Sequence, residues 1–351
     1  GMIFLRLLSK AVRYMSSGSN NNDINVLREL ARQYMELARL PIQEKRRNLW
    51  ASHFSFKKTT VPVIATYGGW NNWCREVFSP SLMKCADPFL RAKEQWFKMQ
   101  IFHHSIGDDF ILEPWIDVGA VYKRPGGAQG QPWGVGFTAT TAVNECGSRK
   151  TEPVIKDWSD VAKMSVPHYE IDEKETQKNV SRLQDAIGDI IEIDVRRGPQ
   201  LIGGMGDIST TLGAIRGIEQ MMLDMYESPD ELKGLIEFMQ KSIIIHQEEA
   251  ENAGGYSLTT QVNQAMTYAE ELERPRANSG PQKRKDLWYA CASQEFTLVS
   301  PDFQDEFLFK YQVPIIEKYG LVHYGCCENL TEKIHMLKKL KNLRSIAVTP
   351  M

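Results

Sequence analysis

The sequence predicts a mixed α/β fold, specifically a (β/α)8 TIM-type barrel preceded by a helical extension. Three observations support this prediction. Short apolar stretches alternate with amphipathic helices along most of the chain, as expected for parallel strands joined by crossover helices. Glycine or acidic residues follow several of these stretches, where barrel enzymes carry their sites. The length of 351 residues accommodates one such barrel and an extension.

The composition is that of a globular protein and excludes several functional classes. Hydrophobic residues make up 42% and charged residues 25%, and no run approaches the roughly 18 apolar residues of a membrane helix, so neither disorder nor a membrane partner is expected. The 42 Lys and Arg nearly balance the 44 Asp and Glu, which leaves no positive field for nucleic acid. Because there are only six cysteines and two are adjacent, we expect a reducing compartment, the cytoplasm.

The chain divides into three predicted segments: a flexible or amphipathic segment over 1–22, helices over 23–60, and the barrel over 61–351. Met2 to Tyr14 is apolar and basic, which is typical of a surface helix or a weak presequence. The polar stretch SSGSNNN, from Ser16 to Asn22, is the best linker. Apolar residues at helical spacing then predict a helix over Asp23 to Leu40 and another after Pro41.

The predicted barrel opens with VPVIAT, Val61 to Thr66, interpreted as a buried strand. Further strands are predicted within Phe110 to Trp115, Gln200 to Met205, Tyr256 to Val262, Leu321 to Gly325 and Leu343 to Thr349. Helices are predicted over Asp87 to His104, Glu173 to Ile187, Thr210 to Tyr226 and Asp230 to Ala253. The Gly- and Thr-rich stretch from Tyr122 to Thr141 indicates irregular hairpins.

We therefore expect Val63, Leu201, Ile202, Leu258, Leu321 and Ile346 on strands of one parallel barrel. Tyr67, Asp207 and Cys326 should converge at the mouth formed by the carboxyl ends of those strands. No helix is left to follow the last strand, because LRSIAVT lies at the end of the sequence.

The turns after the first strands supply candidate substrate-binding residues. Tyr67 and Trp70 lie in a glycine-aromatic turn. Gly204 lies in the turn GGMGD, whose missing side chains leave room for a substrate, and no Gly-Lys-Ser/Thr follows that would indicate a nucleotide. Asp207 either orients a substrate or caps the helix that starts near Ser209.

Three more candidates for substrate binding lie near predicted strand ends. They are Glu113, Gln294 and Glu295. For the two glutamates, a surface position without a functional role is the favoured alternative.

The strand end HYGCCE is the strongest candidate site. Thiolate and imidazole hold zinc, so His323, Cys326 and Cys327 are candidate ligands, with Tyr324 and Glu328 as candidate catalytic residues. Side chains alternate along a strand, so His323 and Cys326 need a bend to share a metal. Alternatively, both cysteines are small apolar fillers and Glu328 caps the next helix.

Two stretches resemble the uroporphyrinogen decarboxylase superfamily. PQLIGGMGDISTTLGAIRGIEQ is similar to the family's strand, glycine turn and helices, and SQEFTLVSPDFQDEFLFKYQVPIIEKYGLVHYGCCENL is similar to its helix leading into a strand that ends H-x-C-G. The resemblance covers most of Val61 to Met351 and implies the barrel. The superfamily includes zinc-dependent methyltransferases that move methyl groups between corrinoid proteins and thiols.

The chain departs from the family's motifs at three places. Decarboxylases carry R-Q-A-G-R after the first strand to hold tetrapyrrole carboxylates, whereas Ala65 to Trp73 contains no arginine, so the methyltransferase branch is nearer. The zinc motif His-x-Cys is not reproduced, since Tyr324 stands two residues before Cys326 and Gly325 two after His323. The sequence also stops near the seventh strand, before the family's distal cysteine, which we interpret as truncation.

The resemblance thus predicts a methyltransferase or demethylase that moves a methyl group between a small substrate or thiol and a corrinoid on a partner protein, assisted by zinc. Two alternatives remain open. One is a metal-independent decarboxylase of a small or tetrapyrrole acid, in which Asp207 and Tyr324 stabilise charge. The other is a non-catalytic barrel that binds a ligand or a corrinoid protein.

Overall fold

The computed structural model describes residues 21–65, 77–123, 132–136, 138–141, 149–202, 206–259 and 266–348. The protein has a mixed α/β fold made of two compact units. Unit 1 falls within residues 1–118 and 177–195, and unit 2 within residues 119–176 and 196–351. The strands of the described ranges form small separate sheets and no closed barrel.

Unit 1 is mainly helical. It contains α1 over residues 21–38, α2 (Pro41–Phe54), α3 (Pro88–Ile106) and most of α4 (Glu173–Ile187), with β1 (Trp115–Gly119) paired to β4 (Glu192–Arg196). The core is built from apolar residues that include Leu27, Tyr34, Phe97, Ile116 and Leu183. Asp87 caps α3 by accepting hydrogen bonds from the backbone N–H groups of Phe89 and Leu90. These helices confirm the predicted ones.

Two strand predictions in unit 1 are wrong. Residues 61–65 form no strand, and Val63 is 63% exposed. The reason is that the backbone N–H groups of Val63 and Ala65 donate to the carboxylates of Asp109 and Asp108 rather than to a neighbouring strand. The strand expected within Phe110 to Trp115 begins only at Trp115 and continues to Gly119.

Unit 2 holds β2 (Thr138–Thr141), which is antiparallel to β3 (Arg149–Glu152), and a three-stranded parallel sheet in the order β5-β6-β7. The parallel strands are β5 (Trp288–Cys291), β6 (Leu321–Tyr324) and β7 (Leu343–Ile346). The helices are α5 (Ile208–Arg216), α6 (Ile218–Glu227), α7 (Pro229–Asn252), α8 (Pro301–Gln304), α9 (Lys310–Ile316) and α10 (Ile334–Leu337), with a π-helical turn (Asp305–Phe309) joining α8 to α9.

The structure confirms the strand positions of Leu321 and Ile346 but not those of Leu201, Ile202 and Leu258, which lie in a bend and a turn. Leu201 and Leu258 are nevertheless buried. Their backbone polar groups bond to side chains, since the Leu201 carbonyl accepts from Gln247 Nε2 and Leu258 N–H donates to Ser279 Oγ. The single helix expected from Thr210 to Tyr226 is broken at Gly217, whose φ is +88°.

Candidate functional site

The candidate site lies in unit 2, where β5 and β6 end. Cys291, the last residue of β5, is in register with Tyr324, the last residue of β6. Because the two strands are parallel, the segments that follow them leave the sheet at the same edge. The segment after β5 is the turn Gln294–Phe296. The first turn of α5 packs against this turn and brings Ser209 next to Glu295.

Two carboxyl groups meet at the start of α5. Asp207 caps this helix by accepting from the N–H of Ser209 at 3.1 Å, and its other oxygen lies 3.1 Å from the hydroxyl of Thr210. The hydroxyl of Ser209 donates to Glu295 Oε2 at 2.5 Å, and the Thr210 hydroxyl lies 3.5 Å from the same oxygen. The Thr210 hydroxyl therefore lies within reach of both carboxyl groups, and Ser209 contacts Asp207 through its backbone N–H and Glu295 through its hydroxyl.

The environment of Asp207 favours its protonated form. The pKa of Asp207 is raised to about 8. Burial is the larger cause, and the nearby carboxylate of Glu295 is the second. The Asp207 side chain is almost fully buried, whereas Glu295 is half-buried. At neutral pH, Asp207 is therefore a neutral acid that can donate a proton.

An amide links Asp207 to the end of β6. Gln312 of α9 donates from Nε2 to the carbonyl of Ala292 at 2.8 Å and to Asp207 Oδ1 at 3.3 Å. Its Oε1 accepts from the hydroxyl of Tyr324 at 2.7 Å. Burial also raises the pKa of Tyr324 well above its usual value, so the phenol stays protonated and acts as a donor. Tyr324, Gln312 and Asp207 thus form one buried hydrogen-bond chain.

Glu328 connects the loops that follow β5 and β6. Its Oε1 accepts from the N–H of Ser293 at 2.7 Å and from the Ser293 hydroxyl at 3.2 Å, while Oε2 accepts from the N–H of Cys326 at 2.8 Å. Lys333 donates to the carbonyl of Phe296 at 2.6 Å. Because both side chains are buried, they fix the two ends of the turn that carries Glu295.

The predicted zinc ligands are not arranged as a set of three. His323 is bonded through Nδ1 to Ser345 Oγ on β7, and burial lowers its pKa, which keeps the ring neutral. The sulfurs of Cys326 and Cys327 lie 3.5 Å apart. No group of three or more His, Cys, Asp or Glu side chains that could hold a metal occurs within the described ranges. In this part of the chain the two thiols belong to no such group, and two thiols alone do not fit a zinc site.

The remaining predicted residues fall elsewhere. Tyr67, Trp70 and Gly204 lie outside the described residues. Glu113 belongs to unit 1, where it forms an ion pair with Arg47 at 2.8 Å. Gln294 is exposed beside Glu295. Of the predicted set, the structure brings Asp207 and Glu295 together, and it joins Tyr324 to Asp207 through Gln312.

Two residues important for this geometry were not predicted. Gln312 was missed because nothing in the run KYQVPII shows where its amide points, although a polar residue within an apolar helical stretch is a signal. Gly213 was missed as well. A Cβ at this position would lie 2.7 Å from Glu295 Cγ, so only glycine lets Glu295 pack against α5 as observed.

Comparisons with protein-family models, curated proteins and solved structures give no match for this chain. A search for membrane spans in the described parts of the chain finds no helix that combines the length and the apolarity needed to cross a bilayer.

Proposed function

We propose that the protein is a metal-independent carboxy-lyase acting on a small carboxylic acid, built on a (β/α)8 barrel of the uroporphyrinogen decarboxylase type. The observation that supports this proposal is the approach of Asp207, at the start of α5, to Glu295 in the turn after the parallel strand β5, with the Thr210 hydroxyl within reach of both carboxyl groups. A buried neutral carboxyl is suited to protonate carbon, and the charge of Glu295 helps to keep it neutral.

The proton follows a short path in this mechanism. Loss of CO₂ from the substrate carboxylate leaves an electron pair on carbon, and the proton of Asp207 forms the new C–H bond. Asp207 then regains a proton from solvent through half-buried Glu295 and the hydroxyl of Thr210, which lies near both carboxyl groups. The Tyr324 and Gln312 pair keeps the accepting oxygen of Asp207 in place throughout.

The test is CO₂ release from a panel of pyrrole and aromatic carboxylic acids, with deuterium incorporation from D₂O at the decarboxylated carbon. We expect Asp207→Asn to lower the rate by roughly 10²- to 10⁴-fold, the usual contribution of a general acid. Glu295→Gln should shift the upper limb of the pH–rate profile to lower pH. The matched control is Glu219→Gln at an exposed position on α6, which should change neither the decarboxylation rate nor the pH–rate profile.

The proposal fails if no acid of the panel is decarboxylated by the wild-type protein. It also fails if Asp207→Asn retains the full rate while deuterium is still incorporated, because another group would then be the proton donor.

A second candidate is methyl transfer in the cytoplasm, the activity that the resemblance implies. The specific observation in its favour is the thiol pair at the end of β6, where Cys327 is exposed. A Cys327 thiolate would take a methyl group from a methylcorrinoid on a partner protein and become a thioether, while the Co–C bond breaks and its electron pair stays on the corrinoid as cobalt(I). Incubation with methylcobalamin should add the mass of one methyl group to the peptide that contains Cys327, and an unchanged mass would exclude this candidate.

A further inference from the structure

The chain turns sharply between β6 and the two adjacent cysteines. Gly325 has a φ of +105°, a conformation that residues with a Cβ rarely adopt, and it directs the chain out of the sheet. The buried carboxylate of Glu328 then holds the N–H of Cys326. This anchored turn leaves the sulfur atoms of Cys326 and Cys327 3.5 Å apart, with Cys327 exposed and Cys326 half-buried.

A disulfide is not the favoured use of this pair. Consecutive Cα atoms are about 3.8 Å apart, whereas disulfides usually join Cα atoms separated by roughly 4.4–6.8 Å. A bond between neighbouring cysteines is therefore strained and easily reduced. Two sulfurs held together as thiols can instead bind one soft acceptor at the same time.

We propose that Cys326 and Cys327 form a bidentate site for a trivalent arsenical of the form R–As=O. The two S–H bonds and the As=O bond break, two As–S bonds form, and one water molecule leaves, with no change of oxidation state. The inference does not rest on the proposed carboxy-lyase activity, because neither Asp207 nor Glu295 takes part.

The number of ligands selects this class of acceptor over zinc. A structural or catalytic zinc ion takes three or four protein ligands, whereas an organic arsenical already carries one substituent and needs two thiols. The described residues supply two sulfurs, since His323 is held by Ser345 on β7 and both oxygens of Glu328 accept hydrogen bonds.

The other cysteines with described positions provide internal controls. Burial raises the pKa of Cys85 to about 12 and the pKa of Cys291 well above its usual value, so both thiols are poorly reactive. Cys74 and Cys146 lie outside the described residues, and the experiment therefore uses a full-length Cys74→Ser/Cys146→Ser background.

The test is the reaction of this protein with phenylarsine oxide, followed by native mass spectrometry and thiol titration. We expect a 1:1 adduct formed with loss of one water, disappearance of two titratable thiols, and an adduct that survives excess 2-mercaptoethanol but is reversed by 1,2-ethanedithiol. Digestion should locate the arsenic on one peptide containing Cys326 and Cys327. Cys326→Ser and Cys327→Ser should each weaken binding by roughly 10²-fold or more, because the second thiol acts at high effective concentration.

Two results would overturn the proposal. One is an adduct that resists 2-mercaptoethanol in both serine variants, and the other is the loss of one thiol per arsenic in the background protein. Because Cys326 is half-buried, thermal melts accompany each variant, and Cys327→Ala at the exposed position repeats the test if Cys326→Ser does not fold.

Discussion

Asp207→Asn tests the protonated state of the buried carboxyl without requiring a substrate. Asparagine has nearly the same shape and caps helices as well as aspartate, so the hydrogen bond from the N–H of Ser209 can be kept. Its carbonyl can still accept from Gln312, and its amide can donate to the hydroxyl of Thr210. The substitution therefore removes one property above all, the ability to ionise.

The expected magnitude follows from the shift in pKa. The pKa of Asp207 is about 8 in the folded protein, against an ordinary value of 3.8. Between these values the folded protein keeps the proton and the unfolded chain loses it. The stability from the protonated carboxyl is thus fully present below pH 4 and is lost as the pH rises through 8. The loss is about 1.4 kcal/mol per pH unit between the two pKa values and about 6 kcal/mol in total.

Urea unfolding of the wild-type and Asp207→Asn proteins at pH 5, 6, 7 and 8 measures this slope. The difference in unfolding free energy between them should fall by about 1.4 kcal/mol per pH unit, flattening as the pH approaches 8. In Glu295→Gln, the fall in stability should end at a lower pH than in the wild type, because one charge that raises the pKa of Asp207 is removed. The control Glu219→Gln should follow the wild type. Parallel curves for the wild type and Asp207→Asn would refute a neutral buried carboxyl.

Two further predictions concern the backbone and a buried histidine. Gly325→Ala should lower the unfolding free energy by about 1–3 kcal/mol, because φ is +105° and the new Cβ would lie 2.8 Å from Leu330 Cδ1. Its control, Gly234→Ala in α7, meets no atom within 4 Å and should gain about 0.5–1 kcal/mol in the same urea assay. Burial lowers the pKa of His246, whose Nε2 accepts from the N–H of Gln200, so its contribution is present above pH 6.5 and lost as the pH falls below that value. A ¹⁵N NMR titration should give His246 a pKa below its ordinary value of 6.5, with the neutral ring carrying its proton on Nδ1, which donates to the carbonyl of Pro167, and a pKa at or above 6.5 would contradict this.

The helices could be predicted well because their signals are local. Apolar spacing predicted helices over Asp87 to His104 and Glu173 to Ile187, and the structure has α3 at Pro88–Ile106 and α4 at Glu173–Ile187. The one error of this kind, a single helix across Gly217, has a local cause too. A glycine within a helical pattern is tolerated or breaks the helix, and the sequence alone does not decide between these outcomes.

Strands could be predicted less well because burial and pairing are separate properties. Leu201 and Leu258 are buried as their apolar neighbourhoods indicate, yet their backbone groups bond to side chains far along the chain. An apolar run in the sequence indicates that residues are buried, but it does not indicate that their backbone pairs with a neighbouring strand. The run from Val61 misleads further, since the aspartates at 108 and 109 take the backbone hydrogen bonds that a sheet would have used.

The sequence analysis singled out several residues of the candidate site, but it did not predict the hydrogen bonds that join them. Asp207, Glu295, Tyr324 and Glu328 were singled out because they follow predicted strands or turns, and these residues do lie around the ends of β5 and β6. Asp207 is the carboxyl that stays neutral because it is buried and lies near Glu295. Neither its burial nor this neighbour can be read from the spacing of residues in the sequence. The zinc hypothesis depended on ligand types alone, while the alternation of side chains already pointed His323 away from Cys326.

The connections also explain why the acidic pair can exist at all. Two carboxyl groups on either side of one hydroxyl group repel each other when both are ionised, so the surrounding structure must hold them close together. Glu328 holds the N–H of Ser293, and Lys333 holds the carbonyl of Phe296. The turn between them therefore cannot swing Glu295 away from α5, and Gly213 leaves the space that Glu295 fills. Relief of the repulsion then comes from Asp207 keeping its proton, which is the state that the proposed reaction needs.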